Sequence, residues 1–320
     1  KWETVMSADP VDPSALLIDA GTGDEREISR NRPLTRPRPG HADLPGVLSY
    51  DLPEARPVLE RASARETAAR VALGVLAEAL LDQVAGVGLV SHVVSVGGQR
   101  ATASVLPTPA DEAALCEASM RALDPADNAR FEAAVDAAKH AGDTIGGVAE
   151  VIAYGVPVGL GTHVSARERL DARLAAALMS IQSVKGVEIG DGFAQAALLG
   201  SQAHDEIVRG PDDHLTRTSN HAGGIEGGTS NGSPIIARAA FKPISTVPRA
   251  LRSVDLATGE EAVGLHQRSD TCQVVPGAVI TEAEVALVLA DALFEHAGGR
   301  SVKEMRRNLE AYLSAVGEHA

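Results

Sequence analysis

Aromatic residues are scarce in this 320-residue chain: one Trp, three Tyr and four Phe. Base stacking therefore has few platforms. With 29 Lys+Arg against 43 Asp+Glu, a formal charge of −14, the chain also lacks the basic surface of a general nucleic-acid binder. An anionic partner has to be met by a local cationic pocket instead. Cysteine is nearly absent, and Cys116 and Cys272 have neither metal-ligand spacing nor enough company for a disulfide framework, so they read as reduced thiols. No run of about 18 apolar residues offers a membrane span, and no basic stretch leads into an apolar leader. The expectation is a cytoplasmic protein with no membrane partner. G-x-x-x-x-G-K-[ST], G-x-G-x-x-G and H-E-x-x-H are all missing. GTSNG (228–232) matches G-x-S-x-G, but Pro234 and a strand follow it where a hydrolase nucleophile elbow needs a helix.

The residues present describe a globular chain. Apolar residues make up 44%, and the length suits one large domain or two small ones with a sizeable core. Thirty-one glycines point to many positions where a side chain would obstruct. The chain opens at Lys1 without methionine, in sequence (KWETVMSADPVDP) that reads as continuing from something upstream.

Periodicity sketches the order of elements. Residues 7–57, rich in Pro, Arg and Asp, read as an ordered loop or extended arm. A helix is expected from Glu60 to about Val84, with Ala64, Ala68, Val71, Val75 and Ala79 on one face, its small residues suited to close helix packing. LVSHVVSV after Gly86 and Gly88 reads as a strand. Asn128 to His140 reads as a helix, 147–161 as a long or bulged strand, and Leu170, Leu174, Leu178 and Ile181 mark an amphipathic helix. KGVEIG and IIARAAF (235–241) read as strands. Thr281 with Glu284 forms a T-x-x-E capping box before VALVLADALFEH, and Val302, Met305, Leu309 and Leu313 mark the last helix. Helices and strands mingle without regular βα alternation, which favours an α+β architecture with helices against antiparallel sheets.

Five clusters carry candidate chemistry. SNHAGGIEGGTSNGSPI (219–235) is rich enough in glycine to bring backbone N–H groups close to a phosphate or ring; a flexible surface loop has the same composition. KPIST (242–246) offers a lysine and two hydroxyls as a phosphate clamp, or merely an exposed strand end. His41 sits between a Pro-Gly turn and Asp43, with Arg36 and Arg38 upstream, a setting for proton transfer near an anion or for an ordinary surface histidine. Arg61, Ser63 and Arg65 are expected at a helix start, where an anion is favoured. In HQRSD (266–270), Arg268 suits a phosphate or carboxylate and Asp270 a base, and a local ion pair would look the same. Together, these clusters in an acidic chain suggest a site for multiply anionic, phosphorylated ligands.

RPGHAD, ERASARETAARVA, GDTIGG, KGVEIGDGF, GSQAHDE, SNHAGGIEGGTSNGSPI, FKPISTVPRA and HQRSDTC, in this order, resemble chorismate synthases along nearly the whole chain. The resemblance implies a β-α-β sandwich, helices between antiparallel sheets, formed by residues 1–320 as one N-terminally incomplete domain and assembling as a homotetramer. It implies a lyase that converts 5-enolpyruvylshikimate 3-phosphate to chorismate and phosphate by trans-1,4-elimination, with reduced FMN (FMNH2) as cofactor and NADP as an associated nucleotide. By motif, His41 would protonate the flavin and Asp270 would assist deprotonation at its N5. Arg61, Ala62, Ser63, Gln182, Ser183, Gly227, Lys242, Pro243, Ile244, Ser245, Thr246 and Arg268 would contact FMN; Arg61, Arg65 and Arg268 would also meet the substrate's anionic groups.

Two features depart from that pattern. The family's opening G-E-S-H-G segment, with a proposed general acid, and a further arginine motif do not occur in these 320 residues. The expectation is that a polypeptide beginning at Lys1 cannot catalyse the reaction. The alternative reading is a catalytically silent truncated homologue that serves as a flavin- or phosphate-binding module. Second, the family's C-A-V-P-A-A-G after R-S-D runs CQVVPGAV here, so Gln273 and Gly277 put the backbone course after Asp270 in question.

Overall fold

A computed structural model describes residues 33–102, 105–210, 214–265 and 269–317. These group into two compact units, one formed by described residues up to Ser63 with 250–265, the other by described residues of 64–249 with 269–317.

The smaller unit carries helices α1 (Asp43–Tyr50) and α2 (Arg56–Arg61) and a hairpin of Arg252–Val254 with Glu261–Val263. Leu34, Val47 and Ala55 form its core, joined by Val58, Leu59 and Leu265. α1 lies in the stretch 7–57 expected to be a loop or arm, and α2 begins at its end; residues 7–32 of that stretch lie outside the described ones. Pro57 stands at the start of α2, where the missing N–H costs nothing, so proline here begins a helix.

The larger unit is built on a five-stranded antiparallel sheet. Its strands are β1 (Gly88–Val96), β2 (Gln99–Arg100), β3 (Gly147–Tyr154), β4 (Val184–Ile189) and β5 (Ile235–Phe241), in the order β2-β1-β3-β5-β4. Helices α3 (Thr67–Ala85), α4 (Pro125–His140), α5 (Leu170–Met179), α6 (Val274–Ala297) and α7 (Val302–Gly317) accompany it. α6 packs on β1 and β3, and α3 and α5 pack on α6. Helix layers against an antiparallel sheet make the α+β class expected from the sequence.

The helix read from Glu60 to Val84 is instead broken. α2 ends at Arg61, a 3₁₀ turn spans Ala64–Glu66, and α3 starts at Thr67, whose hydroxyl donates to the Ala64 carbonyl at 2.6 Å. The buried face of α3 also differs from the expected one: Thr67, Gly74, Ala77, Leu81 and Val84 face inward, while Val75 is 57% exposed. Gly74 sets that face, because a Cβ there would lie 2.5 Å from the Cβ of Ala283 on α6. The close helix packing foreseen from small residues is therefore real, on a different stripe. Nor does Thr281 cap a helix. It lies inside α6, its hydroxyl donating to the Gly277 carbonyl at 2.7 Å, so CQVVPGAV runs into one continuous helix. The strand expected over 147–161 ends at Tyr154, before Gly155 with its φ of +72°.

The sheet has two unlike faces. Toward the helices it presents Leu89, Val93, Val96, Ala149, Val151, Ala237 and Ala239. On the other face Val90, Ile152 and Ile236 pack with Leu115, beside a ladder of charge at matched register: His92 opposite Glu150, Glu150 opposite Arg238, Arg238 opposite Glu188. Glu150 accepts from His92 Nε2 at 2.7 Å and from Arg238 Nε at 2.6 Å. Burial pushes this carboxyl up, but the histidine hydrogen bond and the guanidinium outweigh it and hold it below the usual range.

Candidate functional site

Four of the sequence motifs meet at one end of the sheet in the larger unit. β5 ends at Phe241 and leads into KPIST, beside the start of β4, where the Lys242 N–H donates to the Ser183 carbonyl at 3.0 Å. GDTIGG arrives next to them: the Thr144 hydroxyl donates to the Ile244 carbonyl at 2.8 Å, and a Cβ on Gly146 would strike the Phe241 carbonyl oxygen at 2.3 Å. Only glycine allows that passage of two backbones. The Ile145 N–H donates to the Thr271 carbonyl at 2.9 Å, which brings the segment carrying Asp270 to the same end. Asp270 is exposed, and Arg268 lies outside the described residues.

Side chains reinforce the cluster. Gln182 donates to Glu66, which pairs with Arg70 at 2.8 Å, and Arg70 reaches the Ser180 hydroxyl at 2.7 Å and Glu284 at 3.1 Å. The Gln182 Oε1 and Gln273 Nε2 atoms are buried with no protein partner. Lys242 is half-buried, and its ammonium is pushed below the usual lysine range by that burial and by the charge of Lys185. Thr246 is buried beneath it in sequence, and Ser183 takes a left-handed φ of +72° to turn the chain into β4. Arg65, exposed, precedes Glu66 in the 3₁₀ turn; it does not open the long helix, as the sequence had suggested for it. Sequence reasoning missed Glu66, Arg70, Thr144 and Lys185. The lysine had a visible signal, standing between Ser183 and Gly186 at the head of KGVEIG.

The structure does not bring Gly227 to this cluster. It lies in the tight turn between Ile225–Glu226 and Thr229–Ser230, at the far end of β5, which as a seven-residue strand spans roughly 20 Å. α5 runs between the same ends: its first N–H, on Leu170, donates to the Gly228 carbonyl at 2.9 Å, and its other end leads to Ile181 and Gln182. There the glycine-rich segment folds against GDGF, with His221 Nδ1 2.5 Å from Asp191, while Asp205 of GSQAHDE accepts from the His221 and Ala222 N–H groups. Ser230 is no nucleophile: its buried hydroxyl donates to the Pro157 carbonyl at 2.6 Å and accepts from the Leu160 N–H at 2.8 Å.

In the smaller unit, His41 follows a Pro-Gly turn in which Gly40 takes a φ of +76°. Its Nδ1 lies 2.6 Å from Asp43 Oδ1, and Arg38 grips the same carboxylate through Nε at 2.8 Å and its own N–H at 3.1 Å. Burial pushes the Asp43 carboxyl up, yet the His41 and Arg38 hydrogen bonds prevail and hold it well below the usual carboxylate range. Asp43 is thus ionised at any working pH and fixes the imidazole's orientation. Arg61 closes α2, and Ala62 and Ser63 follow it, so this arginine ends a helix where the sequence had placed it at a start.

The family model for chorismate synthase matches residues 1–294. The chain is 59% identical over 319 residues to the chorismate synthase of Beutenbergia cavernae, covering 99% of this chain and 78% of that protein. It is 55% identical over 318 residues to the chorismate synthase of Mycobacteroides abscessus, covering 99% and 75%. A crystal structure of chorismate synthase superposes with a TM-score of 0.73 at 38% identity, over 87% of this chain and 77% of the other. The chain belongs to the chorismate synthase family. It is an enzyme of that family, a lyase of the shikimate pathway that serves aromatic amino acid biosynthesis, and identity at this level over nearly the whole chain favours this over a silent binding module.

Proposed function

We propose that the protein converts 5-enolpyruvylshikimate 3-phosphate to chorismate and phosphate with reduced FMN as cofactor, and that it works as a homotetramer. One observation carries this reading. GDTIGG, the Gln182–Ser183 turn, KPIST and the segment holding Asp270 converge at one end of the sheet, beside the half-buried ammonium of Lys242. Such a place suits a phosphate or an anionic flavin edge, and the partnerless Gln182 Oε1 and Gln273 Nε2 suit a polar ring.

The residues divide the work. Lys242 supplies charge to a phosphate while Ser245 and Thr246 donate hydroxyl hydrogen bonds, Pro243 and Ile244 holding the turn rigid between them. Gln182 and Ser183 contact the flavin's ring system. When bound, reduced FMN supplies transient electron density to the substrate. His41, its Nδ1 held by Asp43 and its Nε2 3.2 Å from Arg38 Nη2, acts in proton transfer, and Asp270 acts as the base for the proton at flavin N5. Arg61, Arg65 and Arg268 neutralise the anionic groups of substrate and cofactor, with Ala62 and Ser63 alongside Arg61 at the flavin. Gly227 stays a candidate flavin contact, at the far end of β5 from Lys242.

The test is anaerobic: substrate with chemically reduced FMN, chorismate followed by absorbance, and oxidised FMN binding followed by flavin fluorescence. Product formation that depends on reduced FMN supports the reading. Protein that neither binds FMN nor forms chorismate overturns it, and light scattering decides the tetramer.

A further inference from the structure

We propose that Glu66 and Arg70 are positioning residues for Gln182: they fix its side-chain amide with Nε2 on Glu66, so that Oε1 is presented to the flavin ring as a hydrogen-bond acceptor. This rests on the functional reading above, in which Gln182 meets the flavin, and adds two residues to which the sequence reading gave no role.

The chain of contacts starts at the head of α3. Arg70 grips both oxygens of Glu66, its Nε donating to Oε2 at 3.0 Å and its Nη2 to Oε1 at 2.8 Å. Its remaining nitrogen, Nη1, donates to the Ser180 hydroxyl at 2.7 Å and to the carboxylate of buried Glu284 on α6 at 3.1 Å. Ser180 stands at the end of α5, two residues before Gln182. One guanidinium therefore holds both the carboxylate and the turn that delivers the amide to it. A rigid fork reaches these acceptors together, whereas the ammonium of a lysine is a single point.

A carboxylate gripped on both oxygens by a guanidinium accepts hydrogen bonds and donates none, so the Gln182 atom that faces Glu66 Oε1 is the amide nitrogen. That fixes the orientation of an amide, a group whose two ends are otherwise easily exchanged. It also decides what the other end offers. Oε1 is buried and has no partner among the described residues. A buried carbonyl oxygen left unpaired is costly, and a donor brought by a ligand satisfies it. The flavin ring carries such donors, N3–H in either redox state and N5–H when reduced. With the amide turned over, its NH2 would meet the ring donor against donor, and Glu66 would meet a carbonyl acceptor against acceptor. The wrong orientation is thus excluded at both ends, and Arg70 maintains the exclusion by holding Glu66 in place.

The test is a double-mutant cycle of wild type, Glu66→Met, Gln182→Met and the pair, each titrated with oxidised and with chemically reduced FMN at constant ionic strength. Removing the Glu66 charge acts on the ligand in both backgrounds, so the ratio of the two effects reports what passes through the amide. Glu66→Met is expected to weaken FMN about tenfold more in the wild-type background than in the Gln182→Met background. Thermal melts check the fold, and Glu66→Gln, which keeps the shape of the side chain, is expected to give about threefold in the same cycle. Coupling with both forms of FMN assigns N3–H as the donor, and coupling confined to reduced FMN assigns N5–H; either supports the proposal. Effects that agree within about twofold in the two backgrounds, for both forms, overturn it, as does coupling confined to oxidised FMN. Wild type that binds neither form overturns the functional reading and this proposal with it, whereas FMN binding without coupling overturns this proposal alone.

Discussion

Replacing Gly277 by alanine tests how tightly the two motifs after β5 and before α6 are keyed to each other. Gly277 lies in the opening turn of α6, and a Cβ there would stand 2.7, 2.9 and 3.0 Å from the Cζ, Cε1 and Cε2 atoms of Phe241. Carbon atoms in good contact lie about 3.5–4.0 Å apart, so the ring has to retreat by roughly 1 Å. Phe241 is 5% exposed and directly precedes Lys242, so the retreat is transmitted into KPIST. Overpacking of this kind costs about 1–3 kcal/mol, and the better helix propensity of alanine returns up to about 1 kcal/mol. A net loss of about 1–2 kcal/mol corresponds to a fall of roughly 2–8 °C in Tm. Thermal melts followed by circular dichroism measure it, and FMN affinity should drop alongside. Phe241→Met in the same chain should recover most of the loss, because an unbranched thioether can bend away from the new methyl. The coupling between the two substitutions should exceed about 0.5 kcal/mol. A Gly277→Ala protein as stable as wild type, or strictly additive with Phe241→Met, would show that the ring yields freely and that the keying is illusory.

Glu78 is pushed up to about 7 by burial and by the neighbouring charges of Glu282 and Glu112. A carboxyl that keeps its proton in the fold but loses it when unfolded favours folding below about pH 4.5, and that contribution is lost as pH rises towards 7. Glu78→Gln should therefore flatten the decline, gaining on the order of 1 kcal/mol over wild type at pH 8 after allowance for solvent screening, as measured by urea unfolding at several pH values; parallel curves would refute it. Arg121 is buried between Glu112 at 2.7 Å and Glu282 at 3.3 Å, so Arg121→Met should cost about 3 kcal/mol in chemical denaturation, and a loss below about 1 kcal/mol would mean those carboxylates find water instead. His41→Ala and Asp270→Ala should each lower kcat about 100-fold or more while the Kd for oxidised FMN moves less than about threefold, and unchanged turnover would remove them from the chemistry.

Much of the larger unit was legible because its signals are local. β1, β4 and β5 follow from β-branched runs, and α5 follows from Leu170, Leu174 and Leu178, all fully buried. The errors arise where packing overrules pattern. On α3 the apolar side chains Leu73, Val75 and Leu76 are 55–68% exposed, while Gly74 faces inward, because contact with Ala283 rewards closeness over hydrophobicity. Thr281 looked like a cap because its spacing to Glu284 fits one, yet a threonine inside a helix can bond its hydroxyl back to the preceding turn. For the site, residue types were readable but not their grouping. Nothing in the one-dimensional string says that Gly227 and Lys242, fifteen positions apart, flank a full strand. That Lys185 is the extra residue of a bulge is a property of pairing between two strands and is invisible in either alone.

The charge ladder on the outer face of the sheet also bears on how the sheet assembles. A slip of β3 by one residue would carry Glu150 through to the helix side, among Val93, Ala239 and Leu289, and leave His92 and Arg238 facing alanine and valine. An apolar mismatch costs little, whereas a carboxylate stranded in that core costs several kcal/mol. Glu150 thus penalises a slipped register. Since GDTIGG leads into β3 and KPIST follows β5, the native register is also what brings those two segments to the same edge.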